Sequence, residues 1–217
     1  MCEDMGVSTA VLEVAGLQRW FGDFDVFGSL TFDIAEGRLL ALVGPNGSGK
    51  STVLRCVCGI DTPTSGTVRI AGENVDERVP SIRSKLASVI DDLDFFPDLS
   101  VIEHLELLAR AHGVDHPKRK ADRVLDDVGL IQQASQLPGT LSTGQRHRLA
   151  LATAFVRPRS LLVLDEPEQH LDEPGLLWLT ERLNLERANG LAVLLASHDA
   201  SLVNSAADDV MTLSEPE

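Results

Sequence analysis

Tyrosine is absent from this 217-residue chain, and aromatic residues make up only 4% of it. Cysteine is also scarce, because the chain contains only Cys2, Cys56 and Cys58. The last two stand two positions apart on a predicted helix, so their side chains point to different faces and cannot share a metal ion. An odd number of cysteines without a disulfide framework is typical of a protein from a reducing cytosol.

Positive charge and long apolar runs are lacking as well. The chain has 19 Lys and Arg against 33 Asp and Glu, a formal charge of −14. This balance argues against a protein that binds nucleic acid by neutralising phosphates, and we expect no nucleic-acid partner. No apolar run approaches the ~18 residues that a membrane span requires. The acidic beginning, Met1-Cys2-Glu3-Asp4, has no apolar segment of the kind found in secretory signals.

What the chain does have is a glycine-rich loop between an apolar run and a predicted helix. The run Leu39–Val43 precedes Gly44-Pro45-Asn46-Gly47-Ser48-Gly49-Lys50-Ser51-Thr52, and the helix covers 52–58. This spacing is that of a phosphate-binding loop. Glycines let successive backbone N–H groups point at an anion, and the helix directs its positive dipole end to the same place. Lys50 is predicted to reach the β- and γ-phosphates, and the Ser51 hydroxyl to bind Mg²⁺.

The rest of the pattern predicts an α/β fold. Residues 11–14, 30–34 and 67–70 alternate apolar and polar side chains as strands do, and residues 1–10 resemble a loose tail. The runs 161–164 and 191–195 indicate buried strands on either side of a helix at 175–188. Strand, helix and strand around a phosphate loop predict a mainly parallel sheet with helices on both faces.

The middle of the chain reads as a helical insert. Apolar residues recur at helical spacing over 101–113, and Ser100 with Glu103 forms a capping-box pattern at its start. A second helix is predicted from Pro117 to Leu130, ended by Gly129. We therefore expect one domain over 1–217, with a core at about 11–93 and 151–217 and a helical subdomain at about 94–150.

Two carboxylates follow the apolar run 161–164. A carboxylate at the end of a parallel strand faces the crevice where α/β sheets bind ligands. Asp165 suits the Mg²⁺ shell, and Glu166 suits orientation or deprotonation of an attacking water. The alternative is a solvated turn before Pro167, which the phosphate loop makes the weaker interpretation. The segment 141–149 is a Ser/Gly turn before a helix, either a second anion site or a plain N-cap.

Taken together, these motifs resemble those of the ATP-binding subunit of ABC transporters, over residues 11–199. The resemblance implies a P-loop NTPase core with an antiparallel β subdomain and a helical insert, and it implies ATP and Mg²⁺ as ligands. The motifs that carry it are, in order, 44–52, 141–145, 165–167, 170–172 and 197–199.

The resemblance also implies a role for each matching residue. Residues 44–52 correspond to Walker A, and Asp165 with Glu166 to the Walker B aspartate and the catalytic glutamate. His198 corresponds to the switch histidine on the γ-phosphate, and Phe21 holds the adenine-stacking position. The signature loop of this family binds the γ-phosphate of ATP held by the opposite subunit. The remaining nucleotide-binding residues implied are Ser142, Gly144 and Gln145 of the signature loop and Asp172 of the D-loop.

Three positions depart from the family pattern. Thr143 replaces a glycine of the signature, so the loop must use a backbone conformation that a β-branched residue can adopt. Asp91, followed by Asp92, stands where the Q-loop glutamine is usual; a carboxylate can approach Mg²⁺ or a water but cannot donate as an amide does. Residues 168–170, Glu-Gln-His, replace smaller residues. We expect ATPase activity to survive all three departures.

Other polar and aromatic residues have plainer interpretations. Phe95 and Phe96 lie in the region that borders the permease groove in the family, or they pack inside the helical insert. The basic cluster 118–120 is a solvated helix face rather than a nucleic-acid patch. No pair of the remaining histidines has metal-ligand spacing, and we expect all four at the surface or at helix ends: His104, His112, His116 and His147.

The resemblance implies a chain that hydrolyses ATP between two ATPase subunits, either two copies or one copy and a homologue. A separate permease would hold it at the inner face of the membrane as a peripheral cytoplasmic protein. The small size and the missing C-terminal extension lean toward an exporter. Two alternatives stay open: an ABC ATPase that acts on a protein assembly without transport, and a nucleotide sensor that has lost turnover.

Overall fold

The computed structural model describes residues 10–76, 78–91 and 93–214. The tail predicted at 1–10 lies outside this part except for Ala10, and so does Asp92. The chain runs, in order, through β1 (Ala10–Gln18), β2 (Trp20–Phe21), β3 (Phe24–Asp25), β4 (Leu30–Ala35), β5 (Leu39–Val43), α1 (Lys50–Val57), β6 (Ser65–Ile70), β7 (Glu73–Asn74), α2 (Pro80–Lys85), β8 (Leu86–Val89), α3 (Val101–Ala111), α4 (Pro117–Asp127), α5 (Thr143–Phe155), β9 (Leu161–Asp165), α6 (Glu173–Ala188), β10 (Ala192–Ala196), α7 (Ala200–Ala206) and β11 (Asp209–Thr212).

A parallel sheet in the order β11-β5-β10-β9-β8 forms the centre of the molecule. Strands β5, β9 and β10 are almost wholly buried, because helices or a second sheet cover both faces. Successive side chains alternate between two cores: Leu162 and Leu164 pack in one, while Leu161 and Val163 pack in the other. The continuous apolar runs of the sequence therefore mark strands buried on both faces, as predicted.

An antiparallel sheet in the order β4-β1-β6-β7 packs beside the parallel one. Its inward residues, such as Leu12, Val14 and Ile70, share a core with Val53 and Leu54 of α1. The predicted combination of a parallel sheet, an antiparallel sheet and helices is confirmed. Missed from the sequence were the short pair β2–β3 and the elements β7, α2, β8, α7 and β11.

The helices begin and end where local chemistry directs. Ser100 and Glu103 form the predicted capping box of α3, with the Ser100 N–H donating to Glu103 Oε2 at 2.8 Å. Helix α4 ends at Asp127, earlier than the predicted Leu130, and Gly129 follows with a positive φ of 71°. Between α4 and α5 the chain makes two short 3₁₀ turns, Ile131–Gln133 and Pro138–Thr140.

Two histidines were wrongly placed from the sequence. His104 is buried at 4% exposure, where Nε2 accepts a hydrogen bond from the Phe96 N–H at 2.7 Å. His147 lies inside α5, half-buried, with Nε2 2.7 Å from the Pro167 carbonyl oxygen. His112 and His116 do stand at helix ends, as the C-cap of α3 and the N-cap of α4. Across the part of the chain that the structure covers, every helix is too short or too polar to cross a bilayer.

Candidate active site

An open cleft of about 860 Å³ lies at the carboxyl ends of the parallel strands. Loops that leave neighbouring parallel strands at the same edge converge there, which is why distant motifs meet. The residues that line the cleft come from the phosphate loop, the Q-loop position, the segment after β9, α5 and the segment before β4: Asn46, Gly47, Gly49, Lys50, Ser51, Thr52, Asp91, Asp165, Glu166, Gln169, His170, His147 and Val26.

The phosphate loop takes the glycine-dependent shape that its sequence predicts. Gly44, Gly47 and Gly49 all have positive φ, at 151°, 84° and 89°. A Cβ at Gly44 would clash with the Leu213 carbonyl oxygen, so glycine is required there by space as well as by backbone angle. The Lys50 ammonium is buried and donates to the Gly44 and Pro45 carbonyl oxygens at 2.9 and 3.0 Å, which holds it inside the loop.

Ser51 and Asp165 form the oxygen-rich side of the cleft. Burial raises the pKa of the Asp165 carboxyl, while hydrogen bonding from the Ser51 hydroxyl acts in the opposite direction. Asp91, at the Q-loop position, also borders the cleft and has a positive φ of 58°. Its Oδ2 accepts from Arg55 Nη1 at 2.5 Å, so an arginine of α1 already neutralises this carboxylate.

Glu166 and His198 face each other beside the cleft. Glu166 has a positive φ of 43°, and its N–H donates to the Ala196 carbonyl oxygen at 2.8 Å. This bond joins the segment after β9 to the end of β10. His198 Nδ1 lies 3.5 Å from Glu166 Oε1, and the Gln169 amide donates to the other carboxylate oxygen. The predicted catalytic glutamate and switch histidine are therefore neighbours.

The signature segment forms the N-terminus of α5. Ser142 Oγ accepts from the Gln145 N–H at 3.3 Å, and Gln145 Oε1 accepts from the Ser142 N–H at 3.0 Å, a reciprocal cap. Thr143 is the first helical residue and is not among those with positive φ, so its β-branch causes no backbone conflict. Ser142, Gly144 and Gln145 lie outside the set of residues that line the cleft.

Two further predicted residues also stand apart from the cleft lining. Asp172 caps α6, accepting from the Gly175 N–H at 3.2 Å, and pairs with Arg148 of α5 at 2.5 Å. Phe21 is 55% exposed at the β2–β3 hairpin, and the Arg19 guanidinium carbon lies 4.5 Å from its ring centre. Both side chains are therefore largely open to solvent.

Sequence reasoning missed several residues that the fold brings to the cleft. Val26 packs over the phosphate loop: a Cβ added at Gly49 would lie only 2.9 Å from the Val26 carbonyl oxygen. His147 and His170 enter from α5 and the D-loop with ring centres 6.2 Å apart. No local signal distinguishes Val26 or His147, whereas His170 belongs to the motif 170–172 but was given no role in the site.

The paired phenylalanines after the Q-loop divide between the two interpretations. Phe95 packs against the core that contains α3 and α5, with its ring centre 5.5 Å from that of His104. Phe96 is 61% exposed, although one side of its ring also covers His104, with the two ring centres 5.6 Å apart. One ring is therefore part of the helical packing, and the other is available on the surface.

Comparison with known proteins agrees with this geometry. A family model described as "ABC transporter" matches residues 27–169. The SkfA peptide export ATP-binding protein SkfE of Bacillus subtilis (strain 168) is 33% identical over 205 residues, 94% of this chain and 85% of that protein. The cell division ATP-binding protein FtsE of Escherichia coli (strain K12) is 31% identical, over 91% of this chain and 92% of its own length.

Longer relatives and solved structures are also similar. The Nod factor export ATP-binding protein I of Cupriavidus pinatubonensis is 36% identical over 88% of this chain, which spans 59% of that protein's length. The solved ATP-binding subunit of an ABC transporter superposes with a TM-score of 0.87 at 28% identity, covering 94% of this chain and 88% of that one. A bacterial ABC transporter cassette solved as a dimer gives 0.81 at 25% identity, over 94% of each chain.

Proposed function

Because the chain belongs to the ABC transporter family as an ATP-binding, ATP-hydrolysing subunit, we propose that it powers a separate membrane permease through ATP-driven dimerisation. The observation that carries this proposal is the cleft in which Lys50, Asp165 and Glu166 converge, with His198 3.5 Å from Glu166. Loss of turnover, the nucleotide-sensor alternative, is not favoured, because no position of this set is substituted.

In the proposed mechanism the chain's own residues hold the triphosphate and the water. The backbone N–H groups of residues 44 and 46–49 and the α1 N-terminus receive the phosphates, and Lys50 leaves the loop carbonyls to neutralise charge on the β- and γ-phosphates. Glu166 orients or deprotonates a water in line with the γ-phosphorus. His198 donates a hydrogen bond to the γ-phosphate, where negative charge must be stabilised during transfer.

The chain offers a donor set that fits Mg²⁺. Hard oxygen ligands, few in number and completed by phosphate and water, are what this ion prefers. The Ser51 hydroxyl and the Asp165 carboxylate border the cleft together and interact with each other. Asp91 would act through a water, since Arg55 occupies one of its oxygens. Bound Mg²⁺ would neutralise charge on the phosphates.

Dimerisation would complete the nucleotide site. Ser142, Gly144 and Gln145 lie at a helix N-terminus that carries a positive dipole, away from their own subunit's cleft lining. In a head-to-tail pair, this loop would contact the γ-phosphate in the opposite subunit, with Asp172 near the same junction. Phe21 would stack on the adenine from its exposed hairpin. The partner is a second copy or a homologous ATPase.

The permease partner and the membrane location are parts of the same proposal. The exposed Phe96 ring, beside the Q-loop position and the helical subdomain, is the surface on which we place permease contact. The names of the relatives refer to export of a peptide, export of Nod factor and cell division. We propose that this chain sits on the cytoplasmic face of the membrane, with residues 94–150 as a helical subdomain of a single domain.

The test is a pull-down of the tagged chain from its own cells in mild detergent. A polytopic membrane protein recovered in near-equal amount from wild type, and reduced when Phe96 is replaced by serine, would support the proposal. Leu185→Ser is a matched control, because Leu185 is similarly exposed on α6. Recovery with soluble partners alone would contradict the permease and favour action on a protein assembly.

A further inference from the structure

Glu168 is an acidic residue that neither the phosphate-loop chemistry nor the paired carboxylates Asp165 and Glu166 require. Its side chain is only 7% exposed, and its Oε2 is buried without a hydrogen-bond partner in the described part of the chain. Burial of a carboxylate raises the free energy of the folded state unless hydrogen bonds compensate for the lost hydration. The hydrogen bonds of the other oxygen, Oε1, supply this compensation.

Glu168 Oε1 accepts two hydrogen bonds from the segment that carries His198. The Ser197 hydroxyl donates to it at 2.5 Å, and the His198 backbone N–H donates at 3.2 Å. Ser197 is fully buried, and its Oγ accepts in turn from the Asp199 N–H at 3.0 Å. Three successive residues immediately before α7 are thus organised around one carboxylate.

The fold explains why Glu168 can reach this segment. Strands β9 and β10 are parallel neighbours in which Asp165 is paired with Ala196, so the residues that follow them leave the sheet side by side. His147 of α5 contacts the Pro167 carbonyl oxygen at 2.7 Å, which anchors the backbone immediately before Glu168. The backbone that carries the Glu168 carboxylate is therefore held in place by α5.

The imidazole itself lies between two carboxylates. His198 Nδ1 is 3.5 Å from Glu166 Oε1 and 3.7 Å from Glu168 Oε1. Because Nδ1 is the ring nitrogen that faces the carboxylate oxygens, the opposite nitrogen, Nε2, is the one left to donate to another partner. The His198 side chain is 58% exposed, so packing alone does not hold the ring in one orientation.

We propose that Glu168 is a positioning residue for His198: through Ser197 and the His198 N–H it holds the imidazole against Glu166 with Nε2 available to the γ-phosphate. In this proposal Glu168 acts only through the histidine segment that its carboxylate holds. The inference rests on the role proposed above for His198.

The experiment is a double-mutant cycle on ATP hydrolysis by the purified chain at saturating Mg-ATP. Glu168→Ala should lower kcat by roughly 10-fold or more while KM changes less than about 3-fold, because the interaction lost concerns the reacting group. Glu168→Gln should retain activity within about 3-fold of wild type, since an amide oxygen accepts the same two bonds. Glu181→Ala, an exposed carboxylate on α6, is the control and should equal wild type.

The cycle distinguishes positioning from general stabilisation. If Glu168 acts through His198, adding Glu168→Ala to His198→Ala should slow hydrolysis no further. Multiplying losses, or a Glu168→Gln variant as slow as Glu168→Ala, would overturn the inference and leave the role of His198 intact. His198→Ala at the wild-type rate would overturn both. Should Glu168→Ala fail to fold, Ser197→Ala removes the same link and must show the same non-additivity.

Discussion

The Glu166 carboxylate and the His198 imidazole form one connected unit, with Oε1 3.5 Å from Nδ1. The two residues are 32 positions apart in sequence but follow neighbouring parallel strands, and a backbone hydrogen bond from Glu166 to Ala196 joins their segments. A change at either side chain should therefore reduce hydrolysis more than it reduces nucleotide binding, which we assign to the phosphate loop.

Replacing Glu166 by glutamine should separate binding from cleavage. The amide is the same size and keeps the neighbouring Gln169 contact possible, but it cannot accept the water's proton, so hydrolysis should fall roughly 100-fold or more. ATP should still bind, and the uncut nucleotide should hold two chains together. Phosphate release and light scattering with Mg-ATP measure both effects. A variant that hydrolyses at the wild-type rate, or that stays monomeric at saturating ATP, would contradict the assignment.

Two glycines of the phosphate loop provide a matched test of its geometry. Gly47→Ala meets no atom within 4 Å, so it should cost only the positive-φ penalty of about 1–2 kcal/mol. Gly44→Ala has the same kind of penalty and also clashes with the Leu213 carbonyl oxygen. Thermal unfolding should therefore give a lower melting temperature for Gly44→Ala than for Gly47→Ala. Equal melting temperatures would show that the segment at Leu213 yields freely.

Removal of Mg²⁺ by EDTA should abolish hydrolysis, and the two candidate carboxylates should respond differently. Asp165→Asn should raise the Mg²⁺ concentration for half-maximal activity by roughly 10-fold or more, the scale of changes around metal ligands. Asp91→Asn should have a smaller effect, because Arg55 already holds that carboxylate at 2.5 Å. The exposed Asp94→Asn is the control. A larger effect at Asp91 than at Asp165 would assign the ligands the other way.

His112 should make folding sensitive to mild acid. Burial, with a smaller contribution from Arg157, lowers the pKa of this imidazole below 6.5 in the folded chain. The unfolded chain then binds a proton more readily, so stability is present above pH 6.5 and is lost as the pH falls toward the folded-state pKa. Urea unfolding of His112→Gln at pH 7 and 5.5 should show a smaller loss than wild type.

His116→Asn is the control for that comparison, because His116 is exposed and asparagine tolerates its positive φ of 53°. It should lose as much stability as wild type over the same pH interval. An identical pH response in all three proteins would remove His112 from the acid sensitivity and assign it to the carboxylates.

Local signals predicted the elements whose chemistry is contained in a few consecutive residues. The loop 44–52 needs glycines and a lysine at set intervals, and a continuous apolar run predicts the strand Leu161–Asp165. The capping box at Ser100 is equally local. Strand β8, by contrast, is only four residues, Leu86–Val89, and follows α2 directly without a turn signal. Pairing with β9 makes it a strand, and that partner lies far along the chain.

The candidate site divides in the same way. Lys50, Asp165 and Glu166 could be named because each belongs to a short motif with its own physical reason. His104 could not be placed, because its burial depends on Phe96 folding back over α3. Val26 and His147 have no signal of their own, since only the packing of β4, α1 and α5 around the sheet brings them to the cleft.

The sequence by itself determined that this chain holds a phosphate loop, a carboxylate pair at a strand end and a mainly parallel sheet, because spacing and periodicity encode them locally. Only the tertiary structure decided which side chains that are distant in sequence come into contact. Parallel pairing of β9 and β10 places Glu168 against Ser197 and His198, at distances no sequence interval specifies. Local sequence determines the individual motifs and elements, and the order of the strands in the sheet determines which of their side chains are in contact.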